Sequence, residues 1–147
     1  MTDDKDDKSL CMRGTLNHVE IQVRDLAPAI GEWGWLLEAL GWVPYQCWDE
    51  GRSWKSGDTY IVVASTRLTG SNDRRRPGLS HFAFHAGSRG DVDQLWQKGP
   101  SHGWRHLYED RHPFAGGEDW HVAYMENSER FKIELVADDA ENNEVAG

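Results

Sequence analysis

The sequence predicts an α+β fold in which a β-α-β-β-β module occurs twice. Two matched stretches, 16–23 (LNHVEIQV) and 79–86 (LSHFAFHA), are β-rich runs with a histidine in the third place, as expected of half-buried strands. The interval between His18 and His81 recurs, within one residue, between the Gly-Trp pairs at 41–42 and 103–104. A spacing held across two landmarks indicates an internal repeat. We therefore expect each copy to place its histidine at the same point of its module.

The first module is predicted between residues 16 and 65. Its first strand alternates, so that His18 and Glu20 share one face. Asp25 can cap the helix that follows, apolar residues recur at helical spacing, and Gly41 ends the helix. Three short strands are then expected at 43–48, 52–55 and 59–64, because turn residues separate these runs.

The second module, 79–137, repeats this plan. Its first strand is followed by a helix at about 91–98, which Gly99-Pro100 closes. Glycine-rich and polar turns then separate three expected strands at 105–109, 120–125 and 132–136. The order of elements therefore matches that of the first module.

The remaining segments are polar. Residues 1–13 are predicted to be a disordered acidic tail, and 138–147 a second acidic tail. Residues 14–137 then form a single domain in which 66–78 link the modules. The arginines at 74–76 lie in this linker, and we interpret the segment as solvated.

Composition excludes several classes of function. The formal net charge of −9 argues against nucleic acid or an anionic membrane as partner, since both require a basic face. No apolar run is long enough to span a membrane, and the two cysteines, Cys11 and Cys47, have no metal-binding or redox spacing. We expect a soluble, reduced, cytoplasmic protein. Eight tryptophans supply apolar area for a core or an aromatic cavity.

Three side chains on three predicted strands have the chemistry of a metal site. His18 and His81 hold equivalent places in the two modules, and Glu134 lies between Ile133 and Leu135 in the last strand. Two imidazoles and a carboxylate form the ligand set of the facial triad, which leaves coordination positions open for a substrate. The alternatives are hydrogen-bonded core histidines and a solvated glutamate on an edge strand.

These features together resemble the vicinal oxygen chelate superfamily of glyoxalase I, bleomycin-resistance, fosfomycin-resistance and extradiol dioxygenase proteins. The resemblance covers about residues 16–137. It rests on the repeated module and on the motifs Leu-Asn-His at 16–18, Leu-Ser-His at 79–81, Gly-Gly at 116–117, Trp-His-Val-Ala-Tyr at 120–124 and Ile-Glu-Leu at 133–135.

The resemblance implies curved sheets that form an incomplete barrel around a divalent metal, held by His18, His81 and Glu134. Members commonly use Fe, Mn, Zn, Ni or Mg and often form homodimers. Proteins similar to glyoxalase I place a fourth ligand, a glutamate, where laying one repeat over the other puts Val62. Valine cannot bind a metal, so three protein ligands are expected, as in the dioxygenases or the fosfomycin transferases.

Three further residues are candidates for moving protons on a small-molecule substrate with two adjacent oxygens. His121 is expected on the strand facing Glu134, Glu20 lies two residues after His18, and Tyr124 is a further donor. Each has a structural alternative, namely an aromatic filler, a solvated carboxylate or a core tyrosine.

Three functions remain open. The first is a metal-dependent enzyme, with a dioxygenase slightly preferred over a lactoylglutathione-lyase-like isomerase or a fosfomycin-type thiol transferase. The second is a metal-free binding protein of the bleomycin-resistance kind. Its cavity would be lined by tryptophans, with Trp33, Trp35, Trp48 and Trp54 as candidates. The third is an interaction module with a vestigial site.

Overall fold

The computed structural model describes residues 12–138 and shows two open four-stranded sheets with two α-helices. The predicted α+β class with two β-α-β-β-β modules is confirmed. Of the predicted tails at 1–13 and 138–147, residues 1–11, with Cys11, and residues 139–147 lie outside the described residues. No helix among residues 12–138 is both long and apolar enough to cross a membrane.

The first module contains one helix and one sheet. Its elements are β1 (His18–Val23), α1 (Leu26–Ala39), β2 (Val43–Trp48), β3 (Gly51–Ser56) and β4 (Thr59–Ser65). In space the strand order is β1-β4-β3-β2, with β1 parallel to β4 and the other neighbours antiparallel.

The second module has the same topology. Its elements are β5 (His81–His85), α2 (Arg89–Lys98), a 3₁₀ turn (Gly99–His102), β6 (Arg105–Leu107), a second 3₁₀ turn (Glu109–Arg111), β7 (Val122–Glu126) and β8 (Lys132–Val136). The strand order is β5-β8-β7-β6, with β5 parallel to β8. The predicted strand at 105–109 is shorter than expected because the chain turns at Tyr108, whose backbone is left-handed.

The strand register confirms how one module superimposes on the other. His18 is paired with Tyr60 and, in the second sheet, His81 is paired with Lys132. Two residues further along β4 and β8, Val62 therefore occupies the position in the first sheet that is equivalent to that of Glu134 in the second. The position that holds a carboxylate in one sheet therefore holds a valine in the other.

A cluster of aromatic side chains joins the two modules. Trp33 on α1 makes edge-to-face contacts with Trp104, Phe82 and Phe131 of the second module, and the Trp33–Trp104 ring centroids are 5.1 Å apart. Trp33 and Trp104 are fully buried, and the indole N–H of Trp104 donates to the carbonyl oxygen of Glu32 over 2.9 Å. This core lies between the helices and the sheets. The opposite face of each sheet is not covered by a helix.

The start of α1 is capped from the second module. Asp25 occupies the N-cap position as predicted, but its side chain makes no capping hydrogen bond. Instead the Glu129 carboxylate accepts from the backbone N–H groups of Arg24 and Asp25 over 2.8 and 3.0 Å. A carboxylate from a distant part of the chain thus accepts from the N–H groups of the N-cap residue and of the residue before it, and its negative charge lies near the helix N-terminus, where the helix dipole favours it.

The linker contains neither helix nor strand, as expected, but one of its arginines is not solvated. The Arg74 side chain is only 14% exposed and forms an ion pair with Glu126 on β7 over 3.1 Å. Arg105 and Arg130 approach the same carboxylate. The solvated interpretation was therefore wrong for Arg74, because a buried carboxylate requires a cation.

We expect Glu32→Gln to raise the free energy of unfolding at neutral pH. Burial, and then the charge of Glu129, raise the pKa of the Glu32 carboxyl, although Ser128 donates a hydrogen bond to it over 3.1 Å. A folded state with a raised acidic pKa binds more protons than the unfolded chain, so stability is lost as pH rises through the interval between the two pKa values.

Urea unfolding at several pH values measures this effect. The stability gain of Glu32→Gln should grow with pH above the ordinary pKa of glutamate, whereas Glu50→Gln, on the exposed surface, should change little. A Glu32→Gln protein that is less stable than wild type at every pH would contradict this account.

Candidate functional site

The open face of the second sheet brings together His81 and Glu134. Their side chains come from the adjacent strands β5 and β8, and His81 Nε2 lies 3.0 Å from Glu134 Oε1. Both side chains are partly exposed on the sheet face that the helices do not cover. The structure thus gathers two of the three metal ligands predicted from sequence.

Tyr124 completes this group. It is paired with Glu134 in the register of β7 and β8, and its ring meets that of His81 edge-on with centroids 5.9 Å apart. Burial, then the charge of Glu134 and a hydrogen bond to its carboxylate, raise the pKa of Tyr124 to about 12. Its hydroxyl is therefore a stable donor to the carboxylate.

His18 occupies the equivalent place on the first sheet but lies apart from this pair. It is exposed on β1, and its ring stacks on that of Tyr60 with centroids 4.7 Å apart. Within residues 12–138, no group of three or more His, Cys, Asp and Glu side chains is arranged to hold a metal ion. A complete triad is therefore not assembled inside the described part of one chain.

Both histidines are oriented by the residue before them. Asn17 Oδ1 accepts from His18 Nδ1 over 2.8 Å, and Ser80 Oγ lies 2.9 Å from His81 Nδ1. Because the Nδ1 atoms are engaged in this way, Nε2 is the nitrogen that each ring presents. A side chain that fixes one imidazole nitrogen is the usual partner of a histidine that binds metal through the other.

The remaining proton-transfer candidates are divided between the two faces. Glu20 lies on the exposed face of β1 with His18. His121, in contrast, points to the helix side, where its Nε2 lies 2.8 Å from Asp93 Oδ1 on α2. His121 thus lies directly before β7, the strand that neighbours Glu134, but Tyr124 is the residue paired with Glu134, and side chains three residues apart on a strand point to opposite faces.

His121 belongs to a second cluster of histidines on the helix side. The Trp96 indole is sandwiched between His106 and His112, with centroid distances of 3.5 and 3.9 Å. Burial lowers the pKa of His112, and the nearby Asp93 opposes that shift. Through this cluster, the segment before β7 packs against α2.

Sequence reasoning missed Tyr108 and Lys132 at the site. Lys132 Nζ donates to Tyr108 Oη over 2.9 Å and lies 4.8 Å above the Tyr124 ring. Lys132 precedes Glu134 by two residues, so strand alternation could have placed it on the same face. Tyr108 offered no such signal, since it sits in a turn with a backbone φ of 56°.

Residues 17–124 match the sequence profile of the Glyoxalase/Bleomycin resistance protein/Dioxygenase superfamily. The chain belongs to this superfamily. The resemblance inferred from the repeated module and its histidines is confirmed.

Two relatives of this glyoxalase-like chain match it over most of its length. The uncharacterized protein YqjT of Bacillus subtilis is 43% identical over 125 residues, which cover 83% of this chain and 98% of YqjT. A crystal structure of a candidate glyoxalase from Bacillus halodurans matches with a TM-score of 0.82 and 47% identity, covering 86% of this chain and 97% of that one.

A more distant structural neighbour shares the fold. It is a variant of the fosfomycin resistance protein FosX from Listeria monocytogenes, in complex with Mn(II) and a dihydroxypropylphosphonic acid. It matches with a TM-score of 0.61 and 19% identity, and the match covers 89% of this glyoxalase-like chain and 95% of FosX.

Proposed function

We propose that this glyoxalase-like protein is a divalent-metal-dependent enzyme that acts on a small molecule with two adjacent oxygens. The observation that carries the proposal is the oriented pair of His81 and Glu134, with its matched histidine His18 on the other sheet. The superfamily neighbour FosX, which was solved with Mn(II), supports a metal role for this face.

The proposed metal site is shared between two copies of the chain. His81 and Glu134 of one copy would supply two ligands, and His18 of the other copy would supply the third. His18 and His81 both lie on sheet faces that the helices leave uncovered, and no triad is assembled within residues 12–138 of a single chain. A two-fold axis that apposes these faces would complete two equivalent sites in a homodimer.

The donor set fits a divalent cation. Two neutral imidazoles and one carboxylate suit Fe²⁺, Mn²⁺, Zn²⁺ or Ni²⁺ and leave positions for a chelating substrate. When bound, such a cation supplies Lewis acidity toward negative charge that develops on the substrate. The chain's own residues would orient the histidines through Asn17 and Ser80 and place Tyr124 and Glu20 near the substrate.

The reaction type follows from the ligand count and from the metal. Val62 stands where a glyoxalase-I-like fourth ligand would be, which favours a dioxygenase-like or transferase-like reaction over lactoylglutathione isomerisation. A dioxygenase is slightly preferred because Tyr45, Tyr60 and Trp48 supply aromatic surface on the first sheet. The cytoplasm is the proposed location.

Two observations weaken the alternative of metal-free drug binding. Trp33 is fully buried in the core, and Trp54, although it borders a surface cavity beside Tyr45 and Arg52, is only 3% exposed. Trp35 and Trp48 are the partly accessible members of the proposed four. The orientation of both histidines by their neighbours also has no use in a metal-free site.

Elemental analysis of protein purified without chelator tests the proposal. Roughly one Fe, Mn, Zn or Ni ion per chain is expected in a homodimer with two shared sites. The ion should be lost in His18→Ala and in His81→Ala, and retained in the control His85→Ala, whose ring pairs with Asp138. Absence of metal after reconstitution with each ion would rule out the enzyme proposed here.

We expect Ser80→Ala to weaken metal binding by about 10- to 100-fold, since partners that orient a ligand histidine have effects of that size. The free energy of unfolding should change little, because Ser80 is exposed. Competition with a metal indicator measures the affinity, and Ser101→Ala, which removes an exposed hydroxyl elsewhere, is the matched control. Equal affinities in both variants would show that Ser80 does not orient His81.

A further inference from the structure

Tyr108 lies beside the proposed metal pair without touching it. Its ring meets Tyr124 edge-on with centroids 5.2 Å apart, and Tyr124 in turn meets His81. The backbone of Tyr108 is left-handed, with φ of 56°, which is uncommon for a residue other than glycine, asparagine or aspartate. Such strained conformations are concentrated at functional sites.

Cationic groups from three segments surround the Tyr108 phenol. Lys132 on β8 donates to its hydroxyl oxygen over 2.9 Å, and Lys132 Nζ also lies 4.9 Å above its ring. The Arg111 guanidinium, from the turn that Tyr108 opens, lies 4.9 Å over the same ring, and Arg74 of the linker approaches the hydroxyl. Tyr124 on β7, a neutral titratable group, packs edge-on against the same ring.

We propose that Tyr108 is a general acid that donates its hydroxyl proton to the negatively charged oxygen that develops on the bound substrate. The inference rests on the proposed function, because it requires a substrate beside His81 and Glu134. Since Lys132 already donates to Tyr108 Oη, the hydroxyl hydrogen is free to point toward a second acceptor.

The proton balance of this step is simple. The O–H bond of Tyr108 breaks, the proton forms an O–H bond on the substrate, and the phenolate left behind is held by the Lys132 ammonium. Tyr108 later regains a proton from solvent. No electrons are transferred, and no reactant besides the substrate and water is needed.

The two tyrosines have opposite electrostatic environments. The hydrogen bond from Lys132, followed by the charges of Lys132 and Arg74, lowers the pKa of Tyr108, whereas burial and Glu134 raise that of Tyr124 to about 12. Neighbouring groups whose pKa values are pushed apart take different roles in acid–base catalysis. Tyr108 is the stronger acid, and Tyr124 remains a phenol bonded to Glu134.

Binding of acetohydroxamate to the Mn²⁺-loaded protein tests the inference, because this anion presents two adjacent oxygens. Tyr108→Phe should bind it about 10-fold or more weakly at neutral pH, since a hydrogen bond to a charged group is lost. As the pH rises and Tyr108 ionises, the difference from wild type should disappear. Lys132→Met should move that disappearance to higher pH. Ser101→Ala, which removes an exposed hydroxyl from the 3₁₀ turn after α2, is the control.

A second measurement needs neither metal nor probe. In protein labelled with ¹³C at the tyrosine ring, the signal that Tyr108→Phe removes should titrate below the ordinary range of a tyrosine phenol, and Lys132→Met should raise its midpoint. Failure of either expectation would overturn the acid role of Tyr108.

The outcomes separate this inference from the metal proposal. If wild type and Tyr108→Phe bind Mn²⁺ alike but the variant binds acetohydroxamate as tightly as wild type, or with a deficit independent of pH, the inference is wrong and the metal site stands. The same holds if Mn²⁺-loaded wild type does not bind the probe. If wild type binds no metal, the proposed function fails, and this inference fails with it.

Discussion

Glu134→Gln is expected to lower the affinity for divalent metal by more than about 100-fold, because even residues that only orient a ligand have effects of 10- to 100-fold. The substitution keeps the shape of the side chain and its ability to contact His81 Nε2. It removes the negative charge, which is the sole anionic contribution among the three proposed ligands. A competitive titration with Mn²⁺ and Zn²⁺ measures the loss.

The matched control for Glu134→Gln is Glu50→Gln, because Glu50 is exposed and pairs with Arg67 at the surface. Its metal affinity should equal that of wild type. If Glu134→Gln bound metal as tightly as Glu50→Gln while remaining folded, Glu134 would not be a ligand. The pairing of His81 with Glu134 would then be an ordinary hydrogen bond between neighbouring strands.

Trp104→Ala is expected to lower the free energy of unfolding by about 3–5 kcal/mol, as for other large aromatic residues removed from a core. Trp104 is fully buried, packs edge-on against Trp33, and donates to the Glu32 carbonyl oxygen. A loss of this size is a large part of the roughly 5–15 kcal/mol that stabilises a domain. Urea unfolding followed by circular dichroism measures it.

Two further variants separate packing from hydrogen bonding at Trp104. Trp104→Phe keeps much of the ring but removes the indole N–H bond to the Glu32 carbonyl oxygen, which still accepts within its helix. A smaller loss than that of Trp104→Ala is expected, of which the hydrogen bond contributes about 0.5–1.5 kcal/mol. Trp120→Ala removes a tryptophan that is 52% exposed and should cost less than about 0.5 kcal/mol. If Trp104→Ala cost no more than Trp120→Ala, this aromatic contact would not stabilise the junction between the modules.

The order of elements could be predicted because each module repeats a strand and helix pattern that local periodicity encodes. The bounds of β2 and β8 agree with the expected 43–48 and 132–136. The repeat also predicted that Val62 occupies the place of Glu134, and the strand register confirms it. Alternation within a strand and comparison between repeats were sufficient for these features.

The features that sequence reasoning missed depend on contacts between distant segments. Arg74 reaches a buried carboxylate on β7, and Glu129 caps a helix more than a hundred residues before it in the chain. Tyr108 reaches the site through a left-handed turn, which no periodic pattern encodes. Local sequence patterns do not specify such pairings.

His121 illustrates a signal that was present but overlooked. His121 and Tyr124 are separated by three residues, so one regular strand cannot direct both side chains to Glu134. The structure places Tyr124 beside Glu134 and pairs His121 with Asp93 on the other face. Because side chains alternate between the two faces of a strand, only one of these two candidates could lie at the site.

Complementation between two inactive variants tests the shared site most directly. Neither His18→Ala nor Glu134→Ala should bind metal as a purified homodimer. After the two are mixed, unfolded and refolded together, each mixed dimer contains one site built from His18 of one chain and His81 and Glu134 of the other. We expect roughly one ion per mixed dimer, isolated through different affinity tags that do not bind metal. Mixed dimers that remain free of metal, under conditions in which refolded wild type regains it, would contradict a site shared between two copies.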